Sequence, residues 1–330
     1  MSSAKLHLER ALNAALAQYI ETMGEAFSIV PLLDVVDDEG FWALAETDCG
    51  KFHIRVSSGT VNELTAFWES AFADPDFLAG FEQAVDASAI EMTHIGLVWL
   101  MLHEMHHFQM KHFEFFGPDH LTETHGTNRF GLVQRARKPS PPRSNMPKVD
   151  AEKVKLCLEM QADHDATEML LDAYSCDEWI SLRVRVAGIS AMMMLIERAD
   201  IRHQPSSATH PKATTRIFQL LGHLIDMPMI STHVNIGSIS GRSFDVGQLL
   251  SKDEHQHFVA QVVVPTFFDA IALAKVAAAK SITDDLGNAT DFFHDVKVAK
   301  LTVGTRADDL ITTGARQWAD LVGRNIKTSS

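Results

Sequence analysis

The chain has 330 residues, 46% of them hydrophobic, which is enough to bury a large core. Its 29 Lys and Arg stand against 43 Asp and Glu, a formal charge of -14 that argues against nucleic acid or an anionic membrane surface as the main partner. The three cysteines, Cys49, Cys157 and Cys176, are far apart with no CxxC, so neither a disulfide framework nor a cysteine zinc site is readable, and a reducing compartment is expected.

The first stretch, "MSSAKLHLERALNAALAQYIE", has charges every few residues and reads as an amphipathic helix, not a secretion signal. The apolar runs "IGLVWLML" and "FVAQVVVPTFF" read as too short or too interrupted for the roughly 20 residues of a membrane span. A cytoplasmic location without membrane insertion is expected. Residues 27–57 hold β-compatible runs, the last being "KFHIRVS", separated by the turn-like "DDEG" and "DCG", and predict a small sheet. "SGTVNELTAFWESAF" then opens a helix, with Thr60 and Glu63 spaced as a capping box.

A long helix is predicted over 88–116, begun by Ser88 with Glu91 as its box partner and stopped by Gly117 and Pro118. Residues 118–149, ending in the Pro-rich "RKPSPPRSNMPK", are either a mobile functional loop or a disordered insert. Asp150 is positioned to cap a helix over 150–174, and further helices are expected around 177–199, 211–226, 253–279 and 305–323. No chemistry is readable beyond about residue 285. The fold class expected is α+β, mainly α-helical, in a single domain over 1–330 whose part from 227 to 330 is helical.

The chemistry concentrates in "MLHEMHHFQM". His103 and His107 are four apart, about 40° around a helix and one turn above the other, so their imidazoles can converge on one ion. Glu104 follows the first of them and falls beside the ion, where a carboxylate can take a proton from an activated water. This is the HExxH pattern. A polar stripe on a core helix is the bland alternative, but two imidazoles and an acid in an apolar helix need partners to offset their desolvation, and a metal supplies one. His106, three from His103, fits the same ion less well. His94 and His112 are each nine residues from His103, half a turn out of phase, and are expected to face away as surface or packing residues. Glu114 returns to the metal face, where a solvated charge is the plainer reading.

A catalytic zinc site wants three protein ligands and one open position. In "LEMQADHDA", Glu159 and Asp163 are again i, i+4, and Ala162 and Ala166 allow a second helix to come close. Glu159 is the candidate third ligand, and Asp163 a candidate acceptor for the far nitrogen of a ligand histidine. A solvated face is the ordinary reading of such a pair. In "SSATHPKATTRIFQLL", Pro211 is suited to a helix's first turn with His210 held just ahead of it. An imidazole so held can stabilise an oxyanion, or simply cap a helix, while Arg216 can pair with the acids of the site.

These three segments, HExxH at 103–107, Glu159-Met-Gln-Ala-Asp163, and the stretch through His210 and Arg216 within 207–226, which looks like an S-x-H-P-x-x-x-x-R-I segment with Ala208 at its serine position, together resemble the gluzincin metallopeptidases. The likeness is strongest to the family of the CAAX prenyl endopeptidase and the heat-shock protease HtpX, and extends to soluble phage-exclusion peptidases of the Lit type. The resemblance implies a gluzincin-like zincin domain with a small sheet over the HExxH helix, and a zinc endopeptidase acting on a protein or peptide substrate. It further implies one Zn2+ per chain on His103, His107 and Glu159, Glu104 and His210 as catalytic residues, and Asp163 and Arg216 in support. The strand "KFHIRVS" is expected to be an edge on which an extended peptide can pair. Two other chemistries are compatible with the residues. A di-iron carboxylate bundle would use Glu104-x-x-His107 and Glu254-x-x-His257, although Ser251 and Glu254 already form a capping box. A non-catalytic, metal-stabilised interaction protein would close its site with a fourth ligand such as His106 or His164.

Overall fold

The computed structural model describes residues 3–81, 87–112, 148–203, 210–229, 251–286, 288–299 and 305–328. The expected loop at 118–149 and Glu114 lie outside them, apart from the last two loop residues, Lys148 and Val149, which are helical. The described part is mostly helical with one small sheet, as composition and periodicity predict.

Helix α1 (Ser3–Met23) buries Ala4, Leu8, Ala11, Leu12, Ala15 and Tyr19, a stripe at helical spacing that confirms the amphipathic reading. Strands β1 (Leu32–Val36), β2 (Ala43–Asp48) and β3 (Lys51–Ser57) form a sheet in the order β1-β3-β2, with β1 parallel and β2 antiparallel to β3. Phe52, Ile54 and Val56 are buried while Lys51, His53 and Arg55 take the other face, the period of two expected of a half-covered strand. Cys49 and Gly50, with φ of 48° and 77°, make the tight turn into β3 that "DCG" predicts. The assignment of "KFHIRVS" as an edge is corrected: β3 is the central strand, paired on both sides, and the edges are β1 and β2. Edge position depends on which strands pair, and no single strand's sequence records that.

Helix α2 (Ser58–Ala73) is capped by Ser57, whose side chain accepts from the Thr60 amide, and not by a Thr60–Glu63 box. Thr60 Oγ1 instead bonds the Trp42 carbonyl at 2.9 Å, and Glu63 pairs with Arg198 and Arg202. The cap therefore sits one turn earlier, and Thr60 ties the start of β2 to α2. Gly59 lies against the chain before β2: a Cβ there would stand 2.3 Å from the Glu39 carbonyl oxygen. Because that neighbour is backbone, Gly59→Ala is expected to destabilise the fold by on the order of 1–3 kcal/mol, read as a lower urea midpoint at unchanged slope.

A short helix, α3 (Pro75–Phe81), leads towards α4 (Ala89–Gln109), which carries the Ser88–Glu91 capping box as predicted. Its buried residues run without a break from Gly96 to His107, all round the helix, and it packs against α1, α2 and two later helices, so it is the central strut of the core. Its end is a correction. The helix stops at Gln109, not near Phe116, because Lys111 takes a left-handed conformation (φ 56°). The Lys111 amide bonds the Phe108 carbonyl at 3.0 Å and the His112 amide the His107 carbonyl at 3.0 Å, the pair of bonds that defines a Schellman stop.

The remaining helices are α5 (Lys148–Leu171), α6 (Trp179–His203), α7 (Ala213–Asp226), α8 (Lys252–Phe258), α9 (Val264–Ala277), α10 (Lys280–Asp285), α11 (Ala289–Val298) and α12 (Thr313–Thr328). Asp150 falls inside α5 and does not cap it. A wide π turn, Val259–Val263, joins α8 to α9 just before Pro265, which has no amide for the carbonyl four residues back. Helix α7 starts at Ala213, two residues after Pro211, and its first amide is received by Glu197 of α6 at 3.2 Å. In the last third, α10 and α11 were not legible in the sequence, and α12 begins at Thr313, where Asp285 accepts the Thr313 and Gly314 amides at 2.9 and 2.8 Å.

Two stretches, Cys176–Arg202 and Lys252–Ala277, are long and apolar enough to cross a membrane by length and composition alone, which the interrupted run at 258–268 did not suggest. In the fold they pack on each other and share a buried pair, with Arg183 Nε and Nη2 donating to Asp269 at 2.7 and 2.8 Å.

Candidate metal centre

Helices α4 and α5 lie face to face, with Ala162 and Ala166 buried at the contact as their small size predicts. Three rungs, each one turn apart, tie the pair in opposite directions. Trp99 Nε1 donates to Thr167 Oγ1 at 3.1 Å, His103 Nδ1 stands 3.0 Å from Asp163 Oδ1, and His107 Nε2 stands 3.6 Å from Glu159 Oε2. The ladder turns two i, i+4 motifs far apart in sequence into one site.

His103 Nε2, His107 Nε2 and Glu159 Oε2 form a triangle with sides of 3.0, 3.4 and 3.6 Å. Ligands of a tetrahedral zinc ion at 2.0–2.1 Å are separated by about 3.3 Å, so these donors fit that ion without rearrangement. All three residues are buried, and both Glu159 oxygens lack a hydrogen-bond partner. A buried carboxylate left so is rare unless an ion or water completes it.

Electrostatics point the same way. Burial opposes the charged form of Glu159, yet His107, His210 and His103 hold its carboxyl well below the usual range. Burial likewise opposes an imidazolium at His103, but Asp163 and Glu159 outweigh it and push the ring up to about 10. Glu159 is thus held as a carboxylate among the imidazoles, and a donor set of two imidazoles and one carboxylate suits zinc.

Glu104 is buried beside the triangle, and no side chain hydrogen-bonds to either of its oxygens. Burial pushes it up to about 8, eased by His103, raised further by Glu159 and offset in part by the backbone amide of Ala45. That amide belongs to β2, so the edge strand that passes over the site is β2 and not β3.

The residues expected in support lie around the triangle. Arg216 forks onto Asp163, Nε and Nη2 each donating at 2.6 Å, and its guanidinium lies 5.6 Å from the Trp99 ring centre. Burial opposes ionisation of Asp163, but Arg216 and His103 together hold it below its ordinary range. Asp163 therefore stays a carboxylate and keeps the His103 proton on Nδ1, leaving Nε2 to coordinate. His210 is buried with Nε2 at 3.6 Å from Glu159 Oε2 and Nδ1 at 3.1 Å from Asp200 Oδ2. It stands on the Glu159 side of the site, and among the described residues it is not one of the three converging donors.

Two participants escaped the sequence reading. His112, expected to face away, is buried with Nδ1 at 2.8 Å from His107 Nδ1. Helical phase fails there because the chain has already left the helix: in a Schellman stop the residue two beyond the cap folds back onto the last turn, here onto His107. For His107 to coordinate through Nε2 it must donate from Nδ1, which makes His112 the acceptor. Asp200, which orients His210, has no distinguishing neighbour in "ERADIRH".

The competing assignments find less support among the described residues. His106 faces Asp165, 3.9 Å away, and His164 meets His223, so neither closes the first site as a fourth ligand. Glu254 serves the capping box with Ser251, and His257 lies against the Trp179 ring, away from Glu104. His94 is half-buried in a groove with His7 and Arg10, consistent with a packing role. Compared with known proteins, the chain matches no family model, no curated protein and no solved structure.

Proposed function

We propose that the protein is a zinc-dependent endopeptidase of gluzincin type, with His103, His107 and Glu159 as the residues that hold the ion. The observation that carries this reading is the convergence of those three buried donors beside a further buried acid, Glu104, to which no side chain hydrogen-bonds. Zinc bound there would supply a Lewis acid able to bring the pKa of a water towards neutrality.

The chain's own residues divide the remaining work. Glu104 accepts the proton of the attacking water and passes it to the leaving amine, a role for which a buried, uncommitted carboxylate is suited. His210, anchored through Nδ1 on Asp200, presents Nε2 to the site and can donate to the oxyanion of the tetrahedral intermediate. The edge of β2 offers backbone groups to an extended peptide, which would bring a scissile carbonyl alongside Glu104 in fixed register. Asp163 and Arg216 hold His103 in place.

Elemental analysis of the purified protein tests the ligand set. His107→Ala and Glu159→Ala are each expected to lower zinc by one ion per chain relative to wild type while retaining the helical circular dichroism spectrum. Unchanged zinc in both variants would remove the metal from this site and the peptidase reading with it.

A further inference from the structure

We propose that His164 and Glu168 of α5 and His223 of α7 form a second metal site, which takes a divalent ion of the zinc class and ties these two helices together. The inference needs only the three donors and does not depend on the peptidase reading.

His164 and Glu168 are i, i+4 and share one face of α5. His223 reaches them from α7, which is fixed against α5 one turn earlier by Gln219 Nε2 donating to the Met160 carbonyl at 2.9 Å. One ligand atom from each of the three residues lies within 4.8 Å of the others. The rings of His164 and His223 stand 5.3 Å apart at 85°, close to the 4.7 Å and 81° of His103 and His107. The second imidazole of the pair comes from a different helix, so the approach of the three is made by the packing of α5 on α7.

The second set is looser than the first. Its donors must close to about 3.3 Å around a tetrahedral ion. All three side chains are half-buried, so they have room to rotate inwards, and solvent can reach the positions that protein does not fill. A weaker, exchangeable ion follows. Two imidazole nitrogens with one carboxylate favour zinc and its neighbours over the oxygen-seeking magnesium and calcium.

Position gives the site a consequence. Asp163, His164, Arg216 and His223 are neighbours around one closely packed gap, so the second ion would lie near the Asp163–Arg216 pair that orients His103. By joining α5 to α7 it would hold Arg216 against Asp163 and stabilise the native state by mass action.

The test is elemental analysis of the full-length protein after equilibrium dialysis against Zn2+, with thermal melting in parallel. Wild type is expected to hold two ions per chain, of which the weaker is lost, with at least a tenfold drop in affinity, in His223→Ala and in Glu168→Gln. His107→Ala should lose only the tighter one. The conservative, half-exposed Glu168→Gln keeps the test decisive where His223→Ala fails to fold. A single ion in wild type that His107→Ala removes entirely overturns the proposal, and so do two ions retained in both Glu168→Gln and His223→Ala. Since neither variant touches the first triad, failure here leaves the peptidase reading standing. Failure of that reading would show as zinc unchanged in Glu159→Ala.

Discussion

Glu104→Gln is expected to keep its zinc and its fold but to lower peptide-bond cleavage by about 100- to 10,000-fold, the usual contribution of a positioned general base. Glu104 is not one of the converging donors, so the metal has no reason to leave. The amide is nearly isosteric with the carboxylate but cannot accept a proton at any working pH. A second readout separates this from simple damage. No side chain hydrogen-bonds to the Glu104 carboxyl, and the amide fills the same buried volume, so the melting temperature should hold. Cleavage is measured by counting new N-termini in a cell extract treated with each protein. Equal numbers from wild type and variant would take Glu104 out of the mechanism.

The second large effect falls on stability. Arg216→Ala is expected to cost about 3–5 kcal/mol, the range for breaking a buried, well-formed ion pair by removing one partner. Arg216 is among the largest fully buried side chains of the protein, and its loss strands Asp163 without its main counter-charge. The damage should reach the metal centre, because Asp163 orients His103, and zinc affinity should fall about 10- to 100-fold as for other outer partners of ligand histidines. Arg216→Lys should rescue little, since an ammonium cannot fork onto both oxygens. Urea unfolding with zinc competition against a chelator reads both effects, and a variant as stable as wild type would show the pair to be incidental.

Much of the site was legible because its parts are local. HExxH and the Glu159–Asp163 pair each place their side chains by helical spacing alone, and Ala162 and Ala166 announced the close approach of the two helices. His210 was legible through Pro211, and Arg216 through the resemblance of its segment to the gluzincin pattern. His112 was misread because helical phase was carried past the end of a helix, and the stop at Lys111 is made by a non-glycine residue in a left-handed conformation, which sequence rarely signals. Thr60 was misread as a cap because Ser57, one turn earlier, takes that role, while the Thr60 hydroxyl bonds the Trp42 carbonyl.

The amino-acid sequence by itself determined which side chains could bind a metal, on which faces of which helices they lie, and that a small sheet precedes them. These follow from propensity and periodicity, which act over a few residues. Only the tertiary structure decided that α4 and α5 run in opposite directions in the register that brings His107 to Glu159, and that β2 is the edge beside Glu104. It likewise turned His112 onto His107, brought Asp200 to His210, and gathered His164, Glu168 and His223. Those placements depend on how apolar faces pack between elements far apart in the chain, and such packing free energy belongs to the assembled core and not to any one segment.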